Sequence, residues 1–170
     1  MNWSKRISKV TVGAIAMFVI LASVYMASID IRATRGASIT GDEPFYLLTT
    51  QSLIQDRDLD LTQQYQLHSY QSFFDHPEGL WKQSTARDNG KLLSPHNPGL
   101  SVLVIPGFSA GGLIGAQIQL MLISALTFSL VYVLTVKITR TPLISWLATL
   151  AVATTATAFI YATEVYPEFP

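Results

Sequence analysis

Residues 10–29 read VTVGAIAMFVILASVYMASI, an apolar run without a single charged side chain. An α-helix needs about 20 such residues to cross the roughly 30 Å hydrocarbon core of a membrane. Lys5, Arg6 and Lys9 precede the run, and positive residues next to a span favour the cytoplasmic side. We therefore predict a cytoplasmic N-terminus over residues 1–9 and a first membrane span (TM1) over residues 10–29.

A cleaved secretory signal peptide is the alternative interpretation of this N-terminus, with cleavage near Met26-Ala27. The apolar core of a signal peptide usually has about 7–15 residues. Residues 10–29 form a longer run, so the length favours a span that stays in the protein.

Two further segments are long and apolar enough to span, TM2 over residues 113–136 and TM3 over residues 143–162. Lys137 and Arg140 lie between them, which predicts a cytoplasmic connection there. A chain that starts in the cytoplasm returns to it after two crossings, so this placement agrees with the predicted cytoplasmic N-terminus. The remaining segments are an outer loop domain over residues 30–112, the cytoplasmic loop 137–142, and an outer segment 163–170.

The composition agrees with a membrane protein. The chain is 49% hydrophobic and 13% charged, about half the charge of an ordinary soluble domain. No basic patch argues for nucleic acid, and the absence of cysteine excludes a disulfide framework and thiolate metal sites. We predict an all-α integral protein of a plasma or inner membrane, with three transmembrane helices and amphipathic interfacial helices in the outer domain.

Two local patterns organise the outer domain. Thr40 or Asp42, followed by an acid, a proline and apolar residues, predicts a helix over residues 43–55 that lies along the membrane surface. Residues 58–61 alternate like an extended strand.

Glycines recur at four-residue spacing at Gly107, Gly111 and Gly115. Small residues at this spacing let helices approach closely, so the stripe predicts a partner helix. A break or re-entrant turn over residues 107–112 is the alternative. We expect an interfacial helix, a turn near Gly111-Gly112 and then the second span.

The acid pair Asp42-Glu43 directly follows the first span and supplies the candidate catalytic residues. One interpretation is helix capping, in which Asp42 accepts backbone N–H groups and Glu43 favours the positive helix end. The functional interpretation is a general base at the membrane face, able to take a proton from an acceptor hydroxyl. The two interpretations are compatible.

Other polar residues are predicted to reach the same outer face and to bind substrate. Ordinary loop residues and a solvated helix end are the alternative explanations. The candidates are Tyr46, His96, Asn97, Glu164, Tyr166 and Glu168.

No metal site is predicted. Asp58-Leu59-Asp60 matches the Asp-x-Asp pattern that binds Mg²⁺ or Mn²⁺ in many sugar-nucleotide glycosyltransferases, but three residues carry little information. His68 and His76 have no spacing typical of a zinc site.

These features together resemble the GT-C superfamily of polytopic membrane glycosyltransferases, which includes protein O-mannosyltransferases and lipid A aminoarabinose transferases. The resemblance consists of Asp42-Glu43-x-x-Tyr46 after the first span, a helix through Ser52-Leu53, and the segments 94–106 and 164–168. Phe45 departs from the histidine or tyrosine expected there. The resemblance implies transfer of a sugar from a polyprenyl-phosphate donor in the outer leaflet, with inversion.

In that scheme Asp42 is the base and Glu43 or Glu164 orients the acceptor. The lipid-linked sugar is a substrate, membrane lipids surround the protein, and one base suffices without a catalytic acid. A divalent metal is a less favoured alternative. The superfamily has more spans than three, so we expect the chain, ending at Pro170, to be an N-terminal portion that is inactive alone. A non-catalytic assembly module using the glycine stripe and part of a transporter are the alternative functions.

Overall fold

The computed structural model describes residues 3–29, 39–83, 86–87 and 90–167. This part of the chain is helical and contains no β-strand, which confirms the predicted all-α class. The predicted strand over residues 58–61 is wrong, since only an isolated bridge joins Asp60 to Leu93. The helices are α1 (Trp3–Met26), α2 (Glu43–Gln55), α3 (Thr62–Gln66), a 3₁₀ helix (Ser69–Ser72), α4 (Gly99–Leu103), α5 (Ile105–Thr139), α6 (Pro142–Ala153) and α7 (Ala156–Thr163).

Two of these helices, α1 and α5, are long and apolar enough to cross a membrane. The third predicted span is instead a pair of helices, α6 and α7, bent by 67°. The Thr154 hydroxyl donates to the Leu150 carbonyl at 2.9 Å, and the Thr155 hydroxyl donates to the Val152 carbonyl at 2.8 Å. The same two carbonyls also accept from the backbone N–H groups of Thr154 and Thr155, so both hydroxyls are satisfied locally at the bend. The chain is therefore typical of an integral membrane protein.

The chain divides into two compact units. Unit one comprises the described residues 3–28 and 120–163, in which α1 packs against α6 and α7. The Tyr25 hydroxyl donates to the Ala153 carbonyl at 2.9 Å, at the break after α6, and the Trp146 indole N–H donates to the Gly13 carbonyl at 3.1 Å. Polar groups within apolar surroundings need such partners.

Unit two comprises the described residues 29, 39–119 and 164–167. Helix α2 has the bounds that the sequence predicts, but it lies in the core of this unit, against α3, α4 and the 3₁₀ helix. Nine of its residues are buried, so it does not present the free apolar face expected of an interfacial helix, and its position at the membrane surface stays a prediction. The hydroxyls of Thr49 and Thr50 donate to the carbonyls of Phe45 and Tyr46, which lets both threonines be buried.

Two glycines break α5 near its start. Gly111 has φ −157° and ψ 26°, and Gly112 has the left-handed φ of 57°, so the turn predicted at Gly111-Gly112 is present. The chain folds back here, because a Cβ atom on Gly107 or Gly115 would overlap the carbonyl oxygen of the other. Two glycines of the predicted partner-binding stripe are thus already used within the chain.

The Gln119 side chain holds this fold-back. Its Oε1 accepts from the Gly107 N–H at 2.7 Å, and its Nε2 donates to the Leu103 carbonyl at 2.7 Å. A single amide therefore satisfies a donor and an acceptor at the helix ends, where the helical ladder leaves backbone groups without partners.

Candidate functional site

Asp42 stands at the N-cap position of α2. Its side chain caps none of the described backbone N–H groups, so the capping interpretation is wrong for its carboxylate. Asp42 Oδ1 instead accepts from Gln83 Nε2 at 3.1 Å and lies 3.6 Å from His96 Nε2. The Asp42 side chain is 44% exposed. A carboxylate that is both oriented and open to solvent can reach an incoming group.

His96 is the second member of this cluster, and its side chain is 19% exposed. Its Nε2 forms a short hydrogen bond with Gln83 Oε1, so the Gln83 amide joins His96 to Asp42. The imidazole ring lies 5.0 Å from the Tyr46 ring and 5.9 Å from the Phe45 ring, measured between centroids. We call Asp42, Gln83 and His96 the polar cluster.

Glu43 has a different environment, since it is only 1% exposed. Its Oε2 accepts from the Thr40 N–H at 2.8 Å and its Oε1 accepts from the Val165 N–H at 2.9 Å. The first of these bonds reaches back to the turn that precedes α2. The carboxylate thereby joins the start of α2 to the segment 164–167. A catalytic role for Glu43 stays a prediction, and its described contacts are those of a positioning residue for Asp42.

Tyr166 completes this support from the same segment. Its hydroxyl oxygen lies 3.3 Å from the Asp42 backbone N–H, which donates to it, and the hydroxyl donates to the Thr40 carbonyl at 3.3 Å. Burial raises the pKa of Tyr166, and the nearby carboxylates of Glu43, Asp42 and Glu164 raise it further. The phenol therefore stays protonated at neutral pH and remains a donor to Thr40.

Gly41 makes the close approach of Tyr166 possible. Gly41 has φ +56°, and a Cβ atom there would overlap the Tyr166 hydroxyl. We expect Gly41→Ala to lower the free energy of unfolding by about 2–3 kcal/mol, through left-handed strain and overpacking. Thermal or chemical unfolding in detergent micelles measures this loss.

Gly90→Ala is the matched control for that prediction. Gly90 has φ +81°, but a Cβ atom there would meet no atom of the described residues within 4 Å. The free energy of unfolding is expected to fall less in Gly90→Ala than in Gly41→Ala, by about 1 kcal/mol or more, because only the backbone strain remains. Equal losses in the two variants would contradict the role given to the contact between Gly41 and Tyr166.

The other predicted substrate-binding residues take different positions. Tyr46 is buried with its ring on His96. Asn97 is exposed, and its Oδ1 accepts from the Gly99 N–H at 3.1 Å, at the start of α4. Glu164 is half-buried near Tyr166, and Glu168 lies outside the described residues. The structure thus brings Asp42, Tyr46 and His96 together.

Sequence reasoning missed Gln83, which joins the other two members of the polar cluster. A glutamine in a polar loop carries no motif, so no signal in the sequence could have identified it. Trp81 was also missed as a site neighbour; its ring packs edge to face on Phe45, with centroids 5.4 Å apart. That contact gives Phe45, where the resemblance expects a histidine or tyrosine, a packing function beside the site.

The aspartates of the Asp-x-Asp pattern hold a loop. Asp58 Oδ1 accepts from the Asp60 N–H at 3.0 Å, and Asp60 Oδ1 accepts from the Leu92 N–H at 3.0 Å. The Thr62 hydroxyl, donating to Asp60, is the main cause that lowers the pKa of Asp60. Among the described residues, no group of three or more histidine or acidic side chains is placed to hold a metal.

Comparison with protein-family models, with curated proteins and with solved structures gives no match for this chain. The geometry of the polar cluster is therefore the basis for a functional interpretation. An exposed carboxylate beside a histidine is an arrangement suited to proton transfer. The buried Glu43 and the half-buried Tyr166 fix the backbone that carries the carboxylate.

Proposed function

We propose that the chain carries the site of a GT-C-type membrane glycosyltransferase. This enzyme transfers a sugar from a polyprenyl-phosphate donor to an acceptor hydroxyl on the non-cytoplasmic face. The observation that supports it is the polar cluster, in which the exposed Asp42 carboxylate is oriented by Gln83 and lies 3.6 Å from His96 Nε2. Its position in the sequence, directly after an apolar helix, is the one that the resemblance to this superfamily requires.

The proposed reaction needs a base for the acceptor hydroxyl and a stabilised leaving group. The acceptor oxygen bonds to the anomeric carbon, and its proton passes to the Asp42 carboxylate. The bond between the anomeric carbon and the phosphate oxygen breaks, and its electron pair stays on the lipid phosphate. Attack from the face opposite the phosphate inverts the anomeric centre. Because phosphate is a good leaving group, one base suffices.

The surrounding residues have supporting functions in this scheme. His96 Nε2 donates to Gln83 Oε1 and thereby holds the amide that orients the Asp42 carboxylate. Glu164 is the better candidate to orient the acceptor, because Glu43 is buried against two backbone N–H groups. Glu43 and Tyr166 act through Asp42 by fixing its backbone.

The proposal includes a topology of three spans. TM1 overlaps α1 up to Met26, three residues short of its predicted end. TM2 lies within α5, and the bent pair of α6 and α7 makes the third crossing. The N-terminus and the connection at Thr141 are cytoplasmic in this topology, by the distribution of lysine and arginine. Unit two then faces the side on which outer-leaflet donors present their sugars.

Cysteine labelling tests this topology, because the chain has no cysteine of its own. Glu78 and Thr141 are both exposed, so their cysteine variants form a matched pair. In sealed right-side-out vesicles, a membrane-impermeant maleimide is expected to label Glu78→Cys at once. It should label Thr141→Cys only after detergent is added. Protection of Glu78→Cys in sealed vesicles would overturn the proposed function, since an outer-leaflet donor could not reach the site.

A further inference from the structure

A second concave site lies within unit two. It is an open cleft of about 710 Å³, within the range of ligand pockets. Its described lining contains aromatic, amide, cationic and apolar side chains. The principal residues are Tyr65, His68, Tyr70, Leu80, Lys82 and Gln83.

The aromatic residues of the cleft are held by their own contacts. The Tyr65 hydroxyl donates to the Trp81 carbonyl at 3.0 Å, and the centroids of the Tyr65 and Tyr70 rings are 6.2 Å apart. Tyr70 is buried, whereas Tyr65 is half-buried. Tyr65 therefore offers a fixed ring surface to a ligand, of the kind on which the C–H face of a sugar packs.

The charge of the cleft favours an anion. Lys82 Nζ lies 5.7 Å from the centroid of the Tyr65 ring, and none of the described lining residues is a carboxylate. Burial raises the pKa of Tyr65 to about 12, with a further increase from Tyr70. The phenol is therefore neutral at physiological pH and does not repel an anion.

The cleft is continuous with the polar cluster through Gln83. This residue lines the cleft, and its amide contacts both Asp42 and His96. A ligand in the cleft can therefore contact the same amide that orients the Asp42 carboxylate.

We propose that this cleft binds a sugar residue that carries an anionic substituent. The ring packs on Tyr65, and the anionic group pairs with Lys82. The assignment of this sugar as the acceptor rests on the proposed function, whereas its binding does not. Asp42 is then at hand for a hydroxyl of the same ligand.

Saturation-transfer NMR on the full chain in detergent micelles tests the binding. The probes are the 6-phosphates of glucose, mannose and galactose and the three parent hexoses, and inorganic phosphate, which has no C–H protons to observe, is added as a competitor. We expect at least one hexose phosphate to give a saturable signal, weaker signals from the parent hexoses, and little displacement of the hexose phosphate by an equal concentration of inorganic phosphate. Absence of signal from all hexose phosphates, or complete displacement by an equal concentration of inorganic phosphate, would overturn the proposal.

Variants locate the binding in the cleft. Tyr65→Ala should weaken binding about tenfold through loss of the ring, whereas Tyr65→Phe should stay within about threefold of the wild type. Lys82→Gln, at an exposed position that keeps the side-chain length, should reduce the preference for the phosphate about threefold. Unchanged binding in both Tyr65→Ala and Lys82→Gln would exclude this cleft.

Measuring hexose-phosphate binding and sugar transfer on the same wild-type protein separates this inference from the proposed function. If the protein binds the hexose phosphate but transfers no sugar, the inference about the cleft stands and the proposed glycosyltransferase function is wrong. If the protein transfers sugar but binds no hexose phosphate in the cleft, the proposed function stands and the inference about the cleft is wrong.

Discussion

Asp42→Asn is expected to reduce sugar transfer by a factor of about 10²–10⁴, because the amide cannot take the proton of the acceptor hydroxyl. The variant keeps the size of the side chain and an oxygen that can still accept from Gln83 Nε2. The complete product of the gene is placed in vesicles with polyprenyl-phosphate-linked sugars. The measurement is the rate at which polyprenyl phosphate is released.

Two comparisons keep the Asp42→Asn result specific to the chemistry. The variant should insert into the membrane and unfold at the wild-type temperature, since its side chain caps none of the described N–H groups. Asp75→Asn, which neutralises another exposed aspartate of unit two, should keep the wild-type rate. A wild-type rate in Asp42→Asn would remove Asp42 from the mechanism.

Glu43→Ala is expected to have the largest effect on stability, a loss on the order of 3 kcal/mol. Removal of the carboxylate leaves the Thr40 and Val165 N–H groups without their acceptor, in a place where water has little access. The carboxylate accepts bonds from residues far apart in the sequence, so its loss also releases the segment 164–167 from the start of α2. Thermal unfolding measures the loss of stability.

Hydrogen exchange shows where the Glu43→Ala effect arises. Peptides that contain the Thr40 and Val165 amides should exchange faster, while peptides from the middle of α5 should not change. Glu43→Gln keeps one acceptor oxygen and should lose about half as much stability, whereas Glu78→Ala, at an exposed site, should stay within about 0.5 kcal/mol of the wild type. Wild-type exchange rates at the Thr40 and Val165 amides in Glu43→Ala would disprove the role of the Glu43 carboxylate in joining the segment 164–167 to the start of α2.

Local features of the fold were predictable because local chemistry determines them. The apolar run that forms α1 and the start of α2 at Glu43-Pro44 follow from length, charge and proline position. The turn at Gly111-Gly112 follows from two adjacent glycines. The break between α6 and α7 was missed because residues 143–162 form one uncharged apolar run, and hydropathy does not report a bend within such a run.

The site was only partly predictable, because its contacts join distant residues. Asp42 was identified from its position after the first span. Its partner Gln83 is 41 residues away, and the bond from Val165 to Glu43 joins residues 122 apart. No spacing rule reports such contacts. The interpretation of Glu43 as a second catalytic acid could not reveal that its carboxylate is buried.

The most direct test of the proposed glycosyltransferase is a mass balance. Vesicles that contain the complete product of the gene are incubated with the total lipid-linked sugars and acceptors extracted from the source cells. Mass spectrometry then follows three species, the polyprenyl-phosphate-linked sugar, the free polyprenyl phosphate and the glycosylated product. The account predicts that one lipid-linked sugar disappears while polyprenyl phosphate and product appear in equal amounts, and that Asp42→Asn vesicles show neither change. Stable levels of every lipid-linked sugar with the wild-type protein would contradict it.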